Sequence, residues 1–466
     1  MKCHTINSKV LILVVWALAF CPSCTFGQDH WPQFRGEAAM GVSRGNPPTH
    51  WDVETQKNIL WQTPVDGLGH SAPIVWGNDV FVTTAVSSDN SDYSLSVGWE
   101  GANGKPAPDT ESEWQWKLIC IDRTNGNIKW SKTAATGKPT IERHTKATHA
   151  NCTPATDGNH VIAFFGSEGL YCYDFEGNQK WKKDFGKLHS GPYNMRELEW
   201  GFASSPVIYN GKVIVQCDCL NTNFVAILNI DNGEEIRRIE REDVATWSTP
   251  CVFQWKGQTQ VVCNGYKQMA SYDMATGDRL WMLSGGGDVP VPTPLFDGKR
   301  VHITNGHGRS PAYAVSPDAR GDITPNDDSD ELPDGLMWYQ TRGGAYMPTP
   351  IIIGDLLYTG GDNGVLTVRD KATGEDIYKK RVTSGGRNNF SASAIGTESH
   401  IYFCAENGNV AVVKTGKEFE RIAINKMNEI VMATPAIADD QLFIRTKTHL
   451  VCVAEHQPAD ASQENN

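Results

Sequence analysis

Apolar and polar residues alternate along most of this chain in short runs broken by Gly, Asn, Asp and Pro. A period of two places successive side chains on opposite faces of a strand. Segments with helical spacing are scarce. The alternation is itself repeated. "SAPIVWGNDVFVTTA" at Ser71, "CTPATDGNHVIAFFG" at Cys152 and "SSPVIYNGKVIVQCD" at Ser204 carry one phrase: a small residue, a proline, an apolar run, a turn and a second apolar run. Five further copies begin at Ser248, Pro292, Pro348, Ser391 and Ala433. Their anchors are Pro73, Pro154, Pro206, Pro250, Pro294, Pro350, Ser393 and Pro435.

Each copy has a second half. "LICIDRTNGNIKW" ends at Trp130, "LYCYDFEGNQKW" at Trp181 and "LTVRDKATGEDIY" at Tyr378. The Asp-x-x-Thr-Gly pattern predicts a tight turn whose glycine takes a positive φ. Each unit is therefore four antiparallel strands, A to D, and the commonest anchor spacings, 42 to 44 residues, are those of a propeller blade. Ring closure leaves short four-stranded sheets with only short, protected edges. The eighth copy stops after three strands, while "NILWQTPV" at 58–65 precedes the first copy without a partner. The prediction is an all-β, eight-bladed β-propeller of four-stranded antiparallel blades over residues 58–455, closed by an N-terminal strand. A seven-bladed ring would make one copy a mimic, the proline-free seventh above all.

The phrases "TP-x-[VI]…DG…[VI]-x-V" and "D-x-x-TG-x-x-x-W" resemble the pyrroloquinoline-quinone-like propeller repeat family. That superfamily holds both quinoprotein alcohol dehydrogenases and the outer-membrane-protein assembly propeller. The resemblance covers about residues 58–455 and speaks for fold more than for chemistry. Its dehydrogenase branch implies a quinone between a tryptophan floor and a disulfide of adjacent cysteines, beside a calcium ion and an aspartate base. Asp288 and Trp200 or Trp247 suit those roles by type. There is no Cys-Cys pair, Cys217-Asp-Cys219 being the nearest approach. Pyrroloquinoline quinone and calcium are therefore disfavoured as cofactors, and no other cofactor is called for.

The first 27 residues are an expected signal peptide. Lys2 and Lys9 lead an apolar stretch at 10–20, too short for a bilayer, with Thr25 and Gly27 before a cut. An exported protein of the periplasm or exterior follows, with a lipid-anchored form at Cys24 less favoured. No transmembrane span is expected in the mature chain. Residues 28–57 form a lead segment, and 456–466 a disordered polar tail. The net charge of −12, without a basic run, argues against nucleic acid. Cys251 and Cys263 flank a hairpin and are the best-placed pair for a disulfide.

In an antiparallel blade the D-to-A and B-to-C loops share one end. Eight blades therefore gather those loops around one mouth of the central channel. The D-to-A loops bring His70, His149, Trp200, Trp247, Asp288, Arg342, Tyr346, Arg387 and Phe390. The B-to-C loops bring Glu168, Lys267, His307, Arg309, Asp362 and Glu406. Such a polar and aromatic rim suits a protein partner or a small polar or carbohydrate ligand. Each single residue also has a plainer role in turns or in packing between blades. The expected function is binding or scaffolding, with a quinone-dependent dehydrogenase of alcohols or sugars as the alternative. A carbohydrate hydrolase or lyase would need paired carboxylates, for which Glu168, Asp288 and Asp362 qualify by type alone. No metal site is predicted. His144 and His149, and His302 and His307, lack a zinc motif, and Asp327, Asp328 and Asp330 lack a calcium-loop pattern. The insertion at 87–114 would overhang the same rim, as a lid or as decoration.

Overall fold

The structure is a computed structural model. It describes residue 1 and residues 30–89, 95–98, 107, 111–326, 328–329, 331–383 and 389–455. The expected leader after residue 1, the polar tail, Arg387, Asp327, Asp330 and most of the insertion at 87–114 lie outside the described residues.

Eight separate antiparallel sheets form an eight-bladed β-propeller. Blade 1 is built from Ile74–Trp76, Asp79–Ser87, Trp114–Asp122 and Ile128–Gly137, each strand paired with the next. Blade 8 takes strands A to C from Ala436–Ala438, Gln441–Arg445 and His449–Val453. Its fourth strand is Ile59–Pro64, which pairs antiparallel with His449–Val453 and closes the ring as the unpartnered N-terminal segment suggested. Among the described residues blade 4 alone carries a fifth strand, Gly321–Asp322, parallel to Arg279–Leu283. The only helical pieces among the described residues are single turns at Glu37–Ala39 and Gly166–Glu168.

The core lies between blades. One apolar layer joins blades 2 and 3 through Ile162, Phe164 and Trp181 against Val213, Val215 and Phe224. Another joins blades 4 and 5 through Phe253 and Trp281 against Val301 and Tyr313. The Asp-x-x-Thr-Gly turns complete these layers. Asp370 Oδ1 accepts hydrogen bonds from the Ala372 and Thr373 amides, and Gly374 follows at φ 76°. The tryptophan of the preceding blade then lies on that glycine. Trp338 Nε1 donates to Lys371 O at 3.0 Å, and a Cβ added at Gly374 would sit 2.7 Å from its ring. The same docking joins Trp130 to Phe175 O, Trp181 to Ile230 O, and Trp61 of the closing strand to Arg123 O. Trp281 has no such turn to meet, because residues 316–335 replace it, and its indole nitrogen is buried without a hydrogen-bond partner.

The Thr-Pro phrase has a second purpose. Thr153 N donates to Ser205 Oγ, and Ser205 N to Thr249 Oγ1, each from one blade to the next. Thr293, Thr349, Ser393 and Thr434 continue the series over blades 5 to 8. This belt equates Ser393 with the threonines that precede proline. The proline position of the seventh copy is therefore Ala394, one residue beyond the anchor assigned from the sequence.

The expected Cys251 and Cys263 disulfide is absent. Both are free, buried thiols. Cys251 pairs with Val262, so Cys263 is offset by one residue and faces the opposite side of the sheet. Cys251 packs between blades 4 and 5, and Cys263 between blades 3 and 4.

The lead segment closes the channel at the face opposite the D-to-A loops. Trp31 exchanges backbone hydrogen bonds with Val75 of blade 1, and Pro32 O accepts from Thr156 N of blade 2. Arg35 Nη1 donates to Thr349 O near blade 6 at 2.7 Å. Gly41 and Ser43 then bond to Gly396 of blade 7.

Docking on glycine gives a direct test. Gly233→Ala, where an added Cβ would lie 2.7 Å from Trp181, should cost about 2 kcal/mol or more in urea unfolding. Gly211→Ala, at a similar positive φ but with open space around it, should cost only about 1 kcal/mol.

Candidate functional site

The chain direction inside each blade places all eight D-to-A loops at one end of the channel. There they enclose a cavity of about 550 Å³. Its throat is the hydroxyl belt from Thr153 to Thr434, and Phe34 of the lead segment belongs to its lining. The channel is thus a pocket with a floor.

Of the rim residues expected from sequence, His70, Trp200, Trp247, Asp288, His307, Tyr346, Asp362 and Phe390 line the cavity. Glu406 does so too. The others do not. His149 turns edge-on to Trp114 and Trp116, and its carbonyl accepts the Trp116 indole proton. Glu168 accepts the Thr140 amide at 2.9 Å outside the cavity, and burial raises its carboxyl above the usual range. Lys267 sits in a loop held by Asp243, whose carboxylate accepts the amides of Tyr266, Lys267 and Gln268. Arg309 reaches toward the Tyr339 hydroxyl, and Arg342 is exposed away from the lining. With Glu168 outside, the expected carboxylate trio is not assembled.

Three groups of side chains define the cavity. The first is acidic and aromatic. Asp288 Oδ1 lies 2.7 Å from His307 Nδ1, and the His307 ring is 5.6 Å from that of Tyr346. His307 adopts φ 65°, uncommon for a side-chain-bearing residue. The Tyr346 phenol is pushed up to about 12, chiefly by burial, with Asp362 and Asp288 adding to it. The second group is an indole wall. Trp200 and Trp247 are 5.6 Å apart at 34°, and His144 meets Trp200 edge-on at 5.8 Å. Trp247 Nε1 donates to Gly201 O, whereas Trp200 Nε1 is buried without a hydrogen-bond partner.

The third group is a latch. Lys146 Nζ approaches Glu406 Oε1 at 2.6 Å, joining the loop between blades 1 and 2 to blade 7. The same carboxylate accepts Ser391 Oγ at 2.5 Å and the Gly98 amide at 2.7 Å. Gly98 belongs to the insertion at 87–114. Ser96 and Ala107 of that insertion bond to Thr145 O and Arg143 O. Its described residues are therefore fastened over the mouth. Sequence reading missed Phe34, Lys146 and the place of His144. In the sequence His144 stands out only by its spacing to His149, which lacks a zinc motif.

Two histidines of the lining are held neutral by burial. His70 falls to about 4. Its Nε2 lies 2.8 Å from Lys146 O, which can only accept, so Nε2 carries the proton. His144 also falls to about 4, with burial first and Lys146 and Arg143 after it.

The quinone and calcium set implied by the resemblance does not fit this cavity. The Trp200 and Trp247 wall is aromatic, but Cys217 and Cys219 are free thiols inside the layer between blades 2 and 3. Asp288 is already engaged by His307. Among the described residues no three of His, Cys, Asp and Glu gather to hold a metal ion.

Two outcomes follow. Because the unfolded chain protonates His70 near pH 6.5 and the native chain only near 4, acid favours unfolding. That part of the stability is complete above about pH 6.5 and is lost as pH falls toward 4, at most about 3 kcal/mol. His70→Asn should flatten the melting temperature profile over that range. Glu406→Gln removes the charge from the latch and should raise the hydrogen exchange of the Gly98 amide several-fold, with the blade amides unchanged.

No match is found among curated protein sequences. Solved structures share the fold at low identity. A europium-containing methanol dehydrogenase aligns at 11% identity and TM-score 0.60, over 89% of each chain. The computationally designed Ika8 protein aligns at 11% identity and TM-score 0.53, over 84% of this chain and 98% of its own. BamB from Moraxella catarrhalis aligns at 10% identity and TM-score 0.41, over 85% of this chain and 99% of its own. A family model described as outer membrane protein assembly factor BamB matches residues 117–380, more than half of the sequence. The chain belongs to this pyrroloquinoline-quinone-like propeller family.

Proposed function

We propose that the protein is an exported binder of a small polar ligand, which it takes at the channel mouth. The observation that carries this reading is the floored cavity of about 550 Å³. That size falls among small-molecule pockets, and a flat protein interface needs no such depth. An indole wall with a few polar groups is the usual make-up of such a site: apolar surface for contact, polar atoms for orientation. The latch from Lys146 and Gly98 to Glu406 suits a pocket that a ligand enters beneath overhanging loops. Export rests on the leader pattern of the first 27 residues. In the described residues no helix is long and apolar enough to cross a membrane.

The test uses the full chain without its leader. Tryptophan emission and melting temperature are followed with a panel of sugars, polyols, amines and amino acids, and separately with pyrroloquinoline quinone plus calcium. At least one small ligand should give a saturable shift that is lost in the Trp200→Phe, Trp247→Phe double variant. A panel without any saturable shift would defeat the reading. Dye-linked oxidation of alcohols or sugars that depends on the quinone would replace it with the dehydrogenase.

A further inference from the structure

The charge of the cavity lining is uneven. Lys146 and Glu406 neutralise one another at 2.6 Å. His70 and His144 are uncharged at neutral pH because burial disfavours their protonation. Lys146 is the only lysine or arginine among the described lining residues. What remains is Asp288, bonded to His307, and Asp362, for which no described cation is a partner. The described lining therefore carries excess negative charge that a ligand can meet.

That charge is surrounded by rings. His307 and Tyr346 stand beside Asp288 and Asp362. Trp247 donates its backbone amide to Pro290 O at 2.9 Å, which ties its loop to the one that carries Asp288, and both residues line the cavity. Further out on this side of the mouth, Tyr193 and Tyr266 stack at 5.6 Å and 24°. Aromatic faces attract cations through their quadrupole, most strongly where water is excluded. An anion would instead face two carboxylates, of which only Asp288 has a basic partner, His307, among the described lining residues. A neutral sugar could use the rings but would leave the charge unmatched.

We propose that the ligand is an organic ammonium ion, its nitrogen held between the Asp288 and Asp362 carboxylates and the rings of Trp247 and Tyr346. This deepens the proposed function and rests on the cavity being a ligand site. It assigns charge recognition to the carboxylates and shape recognition to the indoles.

The experiment is calorimetric titration of the full chain with choline and with benzylammonium. Each is paired with an uncharged isostere of the same shape, dimethylbutanol and benzyl alcohol. The ammonium member of at least one pair should bind about tenfold or more tightly than its isostere, and added salt should weaken it. Asp362→Asn and Asp288→Asn should each weaken it by roughly tenfold, while Asp362→Glu keeps most of the affinity. Unchanged melting temperatures would show that the variants are folded. If the isosteres bind as tightly as the ammonium ions, or Asp362→Asn changes nothing, the ammonium assignment is wrong and the cavity remains a site for neutral ligands. If neither pair binds, and no panel member shifts the tryptophan emission, the small-ligand reading itself fails.

Discussion

The structure depends on one contact made repeatedly: an indole from the outer strand of one blade lying on a glycine of the next. The contact is cheap only because the turn glycine takes a positive φ and has no Cβ to hold the ring away. It joins three things that the chain must do together. It buries a large apolar surface between sheets, satisfies the indole N–H with a turn carbonyl, and sets the angle from one blade to its neighbour. Trp61 shows why closure needs the N-terminal strand. That strand both completes blade 8 and supplies the indole that docks on the first blade's turn. Near the axis the hydroxyl belt does similar work in polar terms, passing a hydrogen bond from blade to blade where strand A begins.

A ring built this way leaves a hole, and what fills the hole decides what the protein can do. Here the lead segment crosses one end and leaves the other open. Arg35 is wholly buried in that plug. Only carbonyl oxygens accept from it, and burial lowers it to about 9. Rigidity near the mouth comes from a different buried network. Arg241 bonds to Asp218 at 2.9 Å and to Asp243 at 3.3 Å, and Asp243 in turn shapes the loop at 264–268. These groups support the loops without entering the cavity. The described lining is left with few charges, which is why Asp288 and Asp362 stand out there.

Blade topology told which loops would meet, and all eight D-to-A loops do meet. It could not tell which side chains turn inward. His149 sits on one of these loops and Arg309 on a B-to-C loop at the same end, but their side chains turn to Trp114 and Tyr339, while Asp243 holds the B-to-C loop of Lys267 by its backbone amides. Contacts of that kind join residues distant in sequence, and no local pattern encodes them. The cysteine pair failed for a related reason: a hairpin is legible in sequence, but a register shift of one residue is not, and it reverses the face.

The amino-acid sequence alone determined the strands, the eight blades, the closing strand and the face on which the cavity opens. Those follow from alternation, repetition and turn chemistry, all of which are local and recur eight times. Only the tertiary structure decided that Phe34 floors the channel, that Lys146 reaches Glu406 across 260 residues of chain, and that Asp288 and Asp362 share one chamber. Each of these occurs once and at long range, so neither periodicity nor propensity carries any trace of it.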